Sequence, residues 1–259
     1  MTEQIAVTRA ISPAMADCEL MYRERAEPDI ALARVQHRRY EATLATLGCK
    51  IVSLPAEPGL PDSVFVEDAA VVTDEIAVIT RPGAASRRAE TASIAAALEP
   101  WRRLVFIEAP GTLDGGDVLR IGRRLWVGLS GRSNEAGASQ LAAALAPFGY
   151  RTQTVPVRGC LHLKSAATQV GPETLLINPD WVDQTCFAGL RFVDVAPQEP
   201  HGANALYVGG AVVYPASCAR TRERLERVGI VVHSVDVSEI EKAEGGVTCC
   251  SLIFSAPGG

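Results

Sequence analysis

The chain has no run of about 18 apolar residues that could cross a bilayer, and Met1 to Arg9 show no basic stretch followed by an apolar one. Neither a membrane span nor a secretory leader is expected, and the reading is a soluble, cytoplasmic protein. It also lacks a basic block. Its 25 Lys and Arg are interspersed with 30 Asp and Glu, giving a formal charge of −5, so nothing tracks a phosphate backbone and a nucleic-acid partner is not expected. Histidine is scarce: His37, His162, His201 and His233 stand far apart, with no His-x-His, His-Glu-x-x-His or Cys-x-x-Cys spacing. The expectation is no bound metal and no other cofactor. Seven cysteines, an odd number without a leader, read as reduced thiols and not as a disulfide framework. No Pro-, Gly- or Ser-rich linker divides the sequence, so residues 1–259 are expected to form a single catalytic domain.

What is present is a 47% hydrophobic content, ample for a packed core. Helical periodicity marks Pro28–Leu47, Ala84–Leu98 and Asn134–Phe148, the last capped by Ser133 or Asn134. Short β-branched runs lie between them: Lys50–Leu54, Ala69–Val72, Ile76–Thr80, Leu104–Ile107, Val118–Ile121 and Leu125–Gly128. Alternation of the two patterns gives an α/β class.

A unit then repeats five times, in which a polar or Gly-rich turn leads into a strand, a tight turn reverses it and a second strand leaves. The turns are Asp62–Asp68, Leu113–Val118, Leu161–Ser165, Pro200–Asn204 and Gly245–Cys250. Their spacing of about 40 to 50 residues is that of stacked or circular arrays. Five such units can close a ring and gather their polar turns around one axis.

A hydrolase that works without a metal needs a nucleophile, a proton carrier and a charge stabiliser. Cys249, His162 and Asp114 fall at equivalent points of three units, and Asp62, Glu67 and Asp68 occupy another. Each has a plain structural alternative: a core thiol, a satisfied core histidine, an Asp-Gly hairpin turn. Their coincidence in one repeat favours a site.

The segments Phe65–Val72, Thr80–Arg88, Leu113–Leu119, His162–Ser165 and Thr248–Ser251 resemble those of the dimethylarginine dimethylaminohydrolases, and the likeness runs from about Val7 to Phe254. The resemblance implies a five-bladed pseudo-symmetric α/β propeller, the pentein fold of the arginine-deiminase superfamily. It implies that Cys249 is the nucleophile, His162 the acid and base, and Asp114 the group orienting His162. It further implies that Asp68 grips the substrate guanidinium, Asp62 the α-amino group, and Arg87 and Arg132 the α-carboxylate. Glu67 supports the substrate site, and Leu20 lies on a mobile flap within the irregular segment Ile11–Asp29. The activity implied is hydrolysis of methylated arginine, a small-molecule substrate, to citrulline and an amine.

Two positions depart from the pattern. Glu244 stands where a shorter Asp occurs in some relatives, and Cys250, next to the nucleophile, is expected to face the core. The rival functions are an arginine or agmatine deiminase, an amidinotransferase, and a non-catalytic protein that binds arginine derivatives. The last would not need Cys249, His162 and Asp114 together. Against the deiminases stands Lys164, two residues after His162, where they carry an Asp. The sequence leaves open a monomer or a homodimer.

Overall fold

The computed structural model describes residues 3–256. Strand β1 (Gln4–Arg9) runs parallel to β2 (Cys49–Leu54), reached through helix α1 (Ile30–Thr46), whose first turn is capped by Asp29 accepting from the Leu32 amide at 2.9 Å. A hairpin then pairs β3 (Ala70–Val72) with β4 (Ile76–Ile79), and α2 (Thr91–Leu98) crosses to β5 (Arg103–Phe106), parallel to β4. The plan repeats with β6 (Val118–Ile121), β7 (Arg124–Leu129), α3 (Glu135–Leu145) and β8 (Arg151–Pro156). Helix α4 (Leu163–Ala166) leads into β9 (Ala167–Gly171) and β10 (Thr174–Ile177), followed by β11 (Arg191–Asp194). Strands β12 (Leu206–Val208) and β13 (Ala211–Pro215) turn at Gly209-Gly210, whose positive φ values of 59° and 80° suit a two-residue hairpin loop. Helix α5 (Ala219–Arg227) carries the chain to β14 (Val232–Val235), and α6 (Ser238–Glu241) precedes β15 (Leu252–Ser255). Strand β15 returns to pair antiparallel with β1, so the first blade is sewn from both ends of the chain.

Among the described residues there are thus five three-stranded sheets of one topology, a five-bladed α/β propeller. The reason the ring closes is visible in the middle strands. Successive side chains on a strand point to opposite faces, and here each face is buried against a different neighbouring blade. Ile76 and Val78 of β4 pack with Val118, Leu125 and Val127 of the next blade, while Ala77 and Ile79 pack with Ile5, Val7 and Phe254 of the previous one. Strand β10 does the same, with Leu175 and Ile177 in one seam and Leu176 in the other. The middle strands must therefore be apolar throughout and not alternating.

One sequence expectation is corrected. Ala84–Leu98 is not one helix: Ala85–Glu90 is a 3-10 turn and only Thr91–Leu98 is α-helical. A 3-10 turn eclipses residues three apart, which sets Arg87 directly beside Glu90. The turns that lead into the blades are 3-10 or short helical turns, at Val66–Ala69, Gly115–Asp117 and Leu163–Ala166. Cys249 likewise sits in a turn, just before β15. The α3 cap is Asn134, which accepts from the Gly137 amide at 2.8 Å; Ser133 is engaged elsewhere. No helix among the described residues is long and apolar enough to cross a membrane, and all seven cysteines are free.

Candidate active site

The five lead-in turns are tied to one another in a closed circuit. The Gly116 amide donates to Asp68 Oδ1 at 3.0 Å, the Leu163 amide to Asp117 Oδ1 at 2.9 Å, Asn204 Nδ2 to the Lys164 carbonyl at 3.1 Å, the Thr248 amide to Asn204 Oδ1 at 3.1 Å, and the Glu67 amide to the Cys249 carbonyl at 3.1 Å. Each blade thereby locates the polar residues of the next. They enclose a cavity of about 80 Å³ whose wall includes Asp62, Asp68, Arg87, Arg132, His162 and Cys249.

His162 is buried, and its Nε2 meets Asp114 Oδ2 at 3.0 Å, while Nδ1 stands 3.9 Å from Asp68 Oδ1. Asp114 has no exposed surface and lies behind the imidazole, its other oxygen accepting from the Gly83 amide at 2.9 Å. Burial alone would lower the His162 pKa, but the carboxylates of Asp68, Asp117 and Asp114 reverse this and raise it to about 9. The ring can approach so closely because position 116 has no side chain: a Cβ there would lie 2.6 Å from Nδ1. Cys249 is partly exposed, and its sulfur accepts from the Gly246 amide at 3.3 Å. Burial, with the charges of Glu67 and Asp68, pushes its thiol up to about 12. At neutral pH the cavity thus holds a neutral thiol and an imidazolium.

Each oxygen of Asp68 accepts one hydrogen bond, Oδ2 from Arg87 Nη1 at 2.6 Å and Oδ1 from the Gly116 amide at 3.0 Å, which leaves acceptor capacity on both. Burial would raise its pKa, but the cations of His162 and Arg87 and these hydrogen bonds hold it at about 2. Arg87 gives Nε and Nη2 to Glu90 at 3.1 and 2.8 Å, and Nη2 also reaches the Asp62 and Phe65 carbonyls. Of its five N–H donors only one, on Nη1, remains. Arg132 differs: it is buried, its Nη1 has no hydrogen-bond partner, and Asp114 Oδ2 is 3.8 Å away. Asp62 accepts the Glu19 amide at 3.1 Å, and burial raises its pKa despite the nearby Arg87.

Three expected site residues do not line the cavity: Asp114, which lies behind His162, Glu67 and Leu20. Glu67 diverges from Asp68 and bonds Lys164 Nζ at 2.6 Å and Thr248 Oγ1 at 2.8 Å, facing a second cavity of about 270 Å³ on the other side of these groups. It contacts no substrate space in the first cavity and instead holds the residue next to Cys249. Leu20 packs against the apolar cluster around Tyr40 and Cys250. Cys250 is buried there, as expected of a core thiol. Glu244, at φ 56°, is a clasp on the flap: its carboxylate accepts the amides of Met21 at 2.9 Å, Tyr22 at 2.5 Å and Arg23. Neither Glu90 nor the partners of Glu244 carry a signal in the sequence. Asn204 was signalled by its place in the fourth repeat. Asp68, Asp114 and His162 also bring potential metal-ligand atoms within 4.8 Å of one another, a convergence that histidine spacing did not reveal. Two guanidinium groups, Arg87 and Arg132, already stand beside these carboxylates.

A five-bladed α/β propeller with a thiol, an imidazolium and carboxylates on its axial cavity is a pentein of the arginine-deiminase superfamily. No protein-family model matches the chain. It is 42% identical over 254 residues to N(G),N(G)-dimethylarginine dimethylaminohydrolase of Streptomyces coelicolor, covering 97% of both chains. To the Pseudomonas aeruginosa protein of the same name it is 38% identical over 230 residues, covering 88% of this chain and 91% of the relative. The solved structure of a cysteine-to-serine mutant of the Pseudomonas aeruginosa enzyme, complexed with citrulline, superposes with a TM-score of 0.94 at 35% identity, covering 98% of this chain and all of that one. The chain belongs to the dimethylarginine dimethylaminohydrolase family.

Proposed function

We propose that this chain hydrolyses N-omega-methylated arginines, asymmetric dimethylarginine and monomethylarginine, to citrulline and dimethylamine or methylamine. The observation that carries the reading is the ordering of charge along one cavity. The imidazolium of His162 and the thiol of Cys249 line the same cavity as Asp68, Asp62 and Arg132, and Arg132 holds a buried nitrogen with no partner. An amino acid with a cationic side chain fits that order: guanidinium on Asp68, α-amino group on Asp62, α-carboxylate on Arg132 with the single remaining donor of Arg87.

The bound guanidinium offsets the carboxylates that keep Cys249 protonated, so the thiol loses its proton to solvent as the substrate enters. The thiolate attacks the central guanidinium carbon, forming a C–S bond. His162 then gives its Nδ1 proton to the methylated nitrogen, since Nε2 is held by Asp114, and the C–N bond breaks to release the amine. The product is a thiouronium on Cys249. Neutral His162 takes a proton from water, the hydroxide adds to the same carbon, and expulsion of sulfur leaves the ureido group of citrulline. Asp114 fixes the ring and stabilises its cationic form. The position two residues after His162 brings no second carboxylate, because Lys164 turns away to Glu67. The ring of blades acts as one catalytic domain, and its free thiols suit the reducing cytoplasm. Incubation of purified protein with each methylarginine, with citrulline and amine both quantified, tests the reading; formation of neither product would reject it.

A further inference from the structure

Asp117 has no exposed surface and does not line the cavity, yet its carboxylate is bonded to three residues in the two segments that supply His162 and Arg132. Its Oδ1 accepts the amide of Leu163, the residue after His162, at 2.9 Å. Its Oδ2 accepts Ser130 Oγ at 2.6 Å and Ser133 Oγ at 2.7 Å. Each serine passes the restraint on. Ser130 Oγ accepts the Arg132 amide at 3.0 Å, and Ser133 Oγ accepts the Asp114 amide at 3.0 Å. Gly128 leaves room for this arrangement, since a Cβ there would sit 2.7 Å from Oδ1.

We propose that Asp117 is a positioning residue that sets His162, Asp114 and Arg132 against one another through a single carboxylate, with Ser130 as its branch to substrate binding and Ser133 as its branch to proton transfer. The inference rests on the roles given to those three residues above. A carboxylate suits the position because it accepts from the Leu163 amide and from both hydroxyls at once, while each serine oxygen accepts a backbone amide. An amide in its place could keep its oxygen on Leu163 only by making both hydroxyls accept where they now donate, which replaces two charge-assisted bonds with weaker neutral ones. The branches end on separate side chains: beyond the bond each hydroxyl makes to Asp117, Ser133→Ala cuts only the bond to the Asp114 amide, and Ser130→Ala cuts the bond to the Arg132 amide together with a longer one to the Ser133 amide at 3.3 Å, leaving the Ser133 hydroxyl on Asp117.

The experiment compares Ser130→Ala, Ser133→Ala and Asp117→Asn with the wild-type protein, using asymmetric dimethylarginine kinetics and residue-resolved amide hydrogen exchange without substrate. Ser130→Ala is expected to raise KM by about tenfold with kcat within about twofold, and Ser133→Ala to lower kcat by about tenfold with KM little changed. The Arg132 amide should exchange faster only in the first variant and the Asp114 amide only in the second. Asp117→Asn should affect both parameters; should it fail to fold, the two serine variants decide alone. Serine variants that change kcat and KM in the same proportion, or leave both at wild-type values, would overturn the hub. A wild-type protein that does not turn over methylarginine would instead sink the proposed function, and the exchange pattern would still decide whether Asp117 organises these segments.

Discussion

Arg87 holds Asp68 at 2.6 Å while its other edge is spent on Glu90, so the carboxylate assigned to the substrate guanidinium is braced before any substrate arrives. Arg87 and Arg132 are therefore unequal partners. Arg132→Ala should raise KM for asymmetric dimethylarginine by about ten- to hundredfold, the loss of about 1.5–3 kcal/mol expected of a charged hydrogen bond, with kcat less affected. Arg87→Ala should also lower kcat, and because it strands Asp68 and Glu90 unpaired it should cost about 3–5 kcal/mol of stability in denaturant unfolding. Identical kinetics and stability in the two variants would refute the distinction.

Cys249 faces the cavity and Cys250 the core. Cys249→Ser should abolish turnover, because an alcohol lacks the nucleophilicity of a thiolate, while Cys250→Ser should keep most of it. Comparable loss in both variants would undo the assignment of the nucleophile.

The raised pKa values carry signs that can be checked. Iodoacetamide should alkylate Cys249 more slowly at pH 7–8 than an ordinary thiol near 8.5, with the rate climbing toward a value of about 12. His162, raised to about 9 against the opposing effect of burial, contributes stability fully present below its ordinary value of 6.5 and lost as pH rises through about 9. The difference in melting temperature between the wild type and His162→Asn should fall over that interval. A difference independent of pH would contradict the imidazolium.

Methylated arginine should be preferred over arginine by about tenfold or more in kcat/KM. The cavity residues flanking His162 are Cys160, Leu161 and Ser165, none of them a carboxylate. Asp68 can satisfy one edge of a guanidinium, and the further donors of unmodified arginine would be left underpaired at about 1–3 kcal/mol, whereas methyl groups ask for no partner. Equal or faster hydrolysis of arginine in parallel assays would move the protein to the deiminases.

Chelators should leave turnover unchanged. The only cluster of potential ligand atoms recorded among the described residues, Asp68, Asp114 and His162, is already neutralised by its mutual hydrogen bond and by two arginines. Activity lost on treatment with a chelator and restored by a divalent metal would count against the mechanism.

The five-fold repeat was legible in the sequence because polar turns recur at a regular spacing, and the repeat in turn located Cys249, His162, Asp114 and Asp68 near one axis. Many strands of the second half were not legible, since segments such as Leu206–Val208 are too short for a periodic signal. The split of Ala84–Leu98 was hidden because Arg87 and Glu90 resemble the solvated start of a helix, and only tertiary packing shows that both are buried. That Glu67 and Asp68 serve different cavities was not legible, because their divergence comes from the 3-10 turn that holds both. The hub at Asp117 was invisible because its partners, Ser130, Ser133 and Leu163, carry no chemistry of their own.

The pairing of β15 with β1 has a consequence for how activity arises during synthesis. Residues 4–9 must wait for residues 252–255 before the first blade is complete, and Cys249 lies only three positions before the strand that closes it. A growing chain can therefore possess His162, Asp114 and both arginines while remaining chemically silent. Competence waits for residues 249–255, which bring both the nucleophile and the strand that seats it.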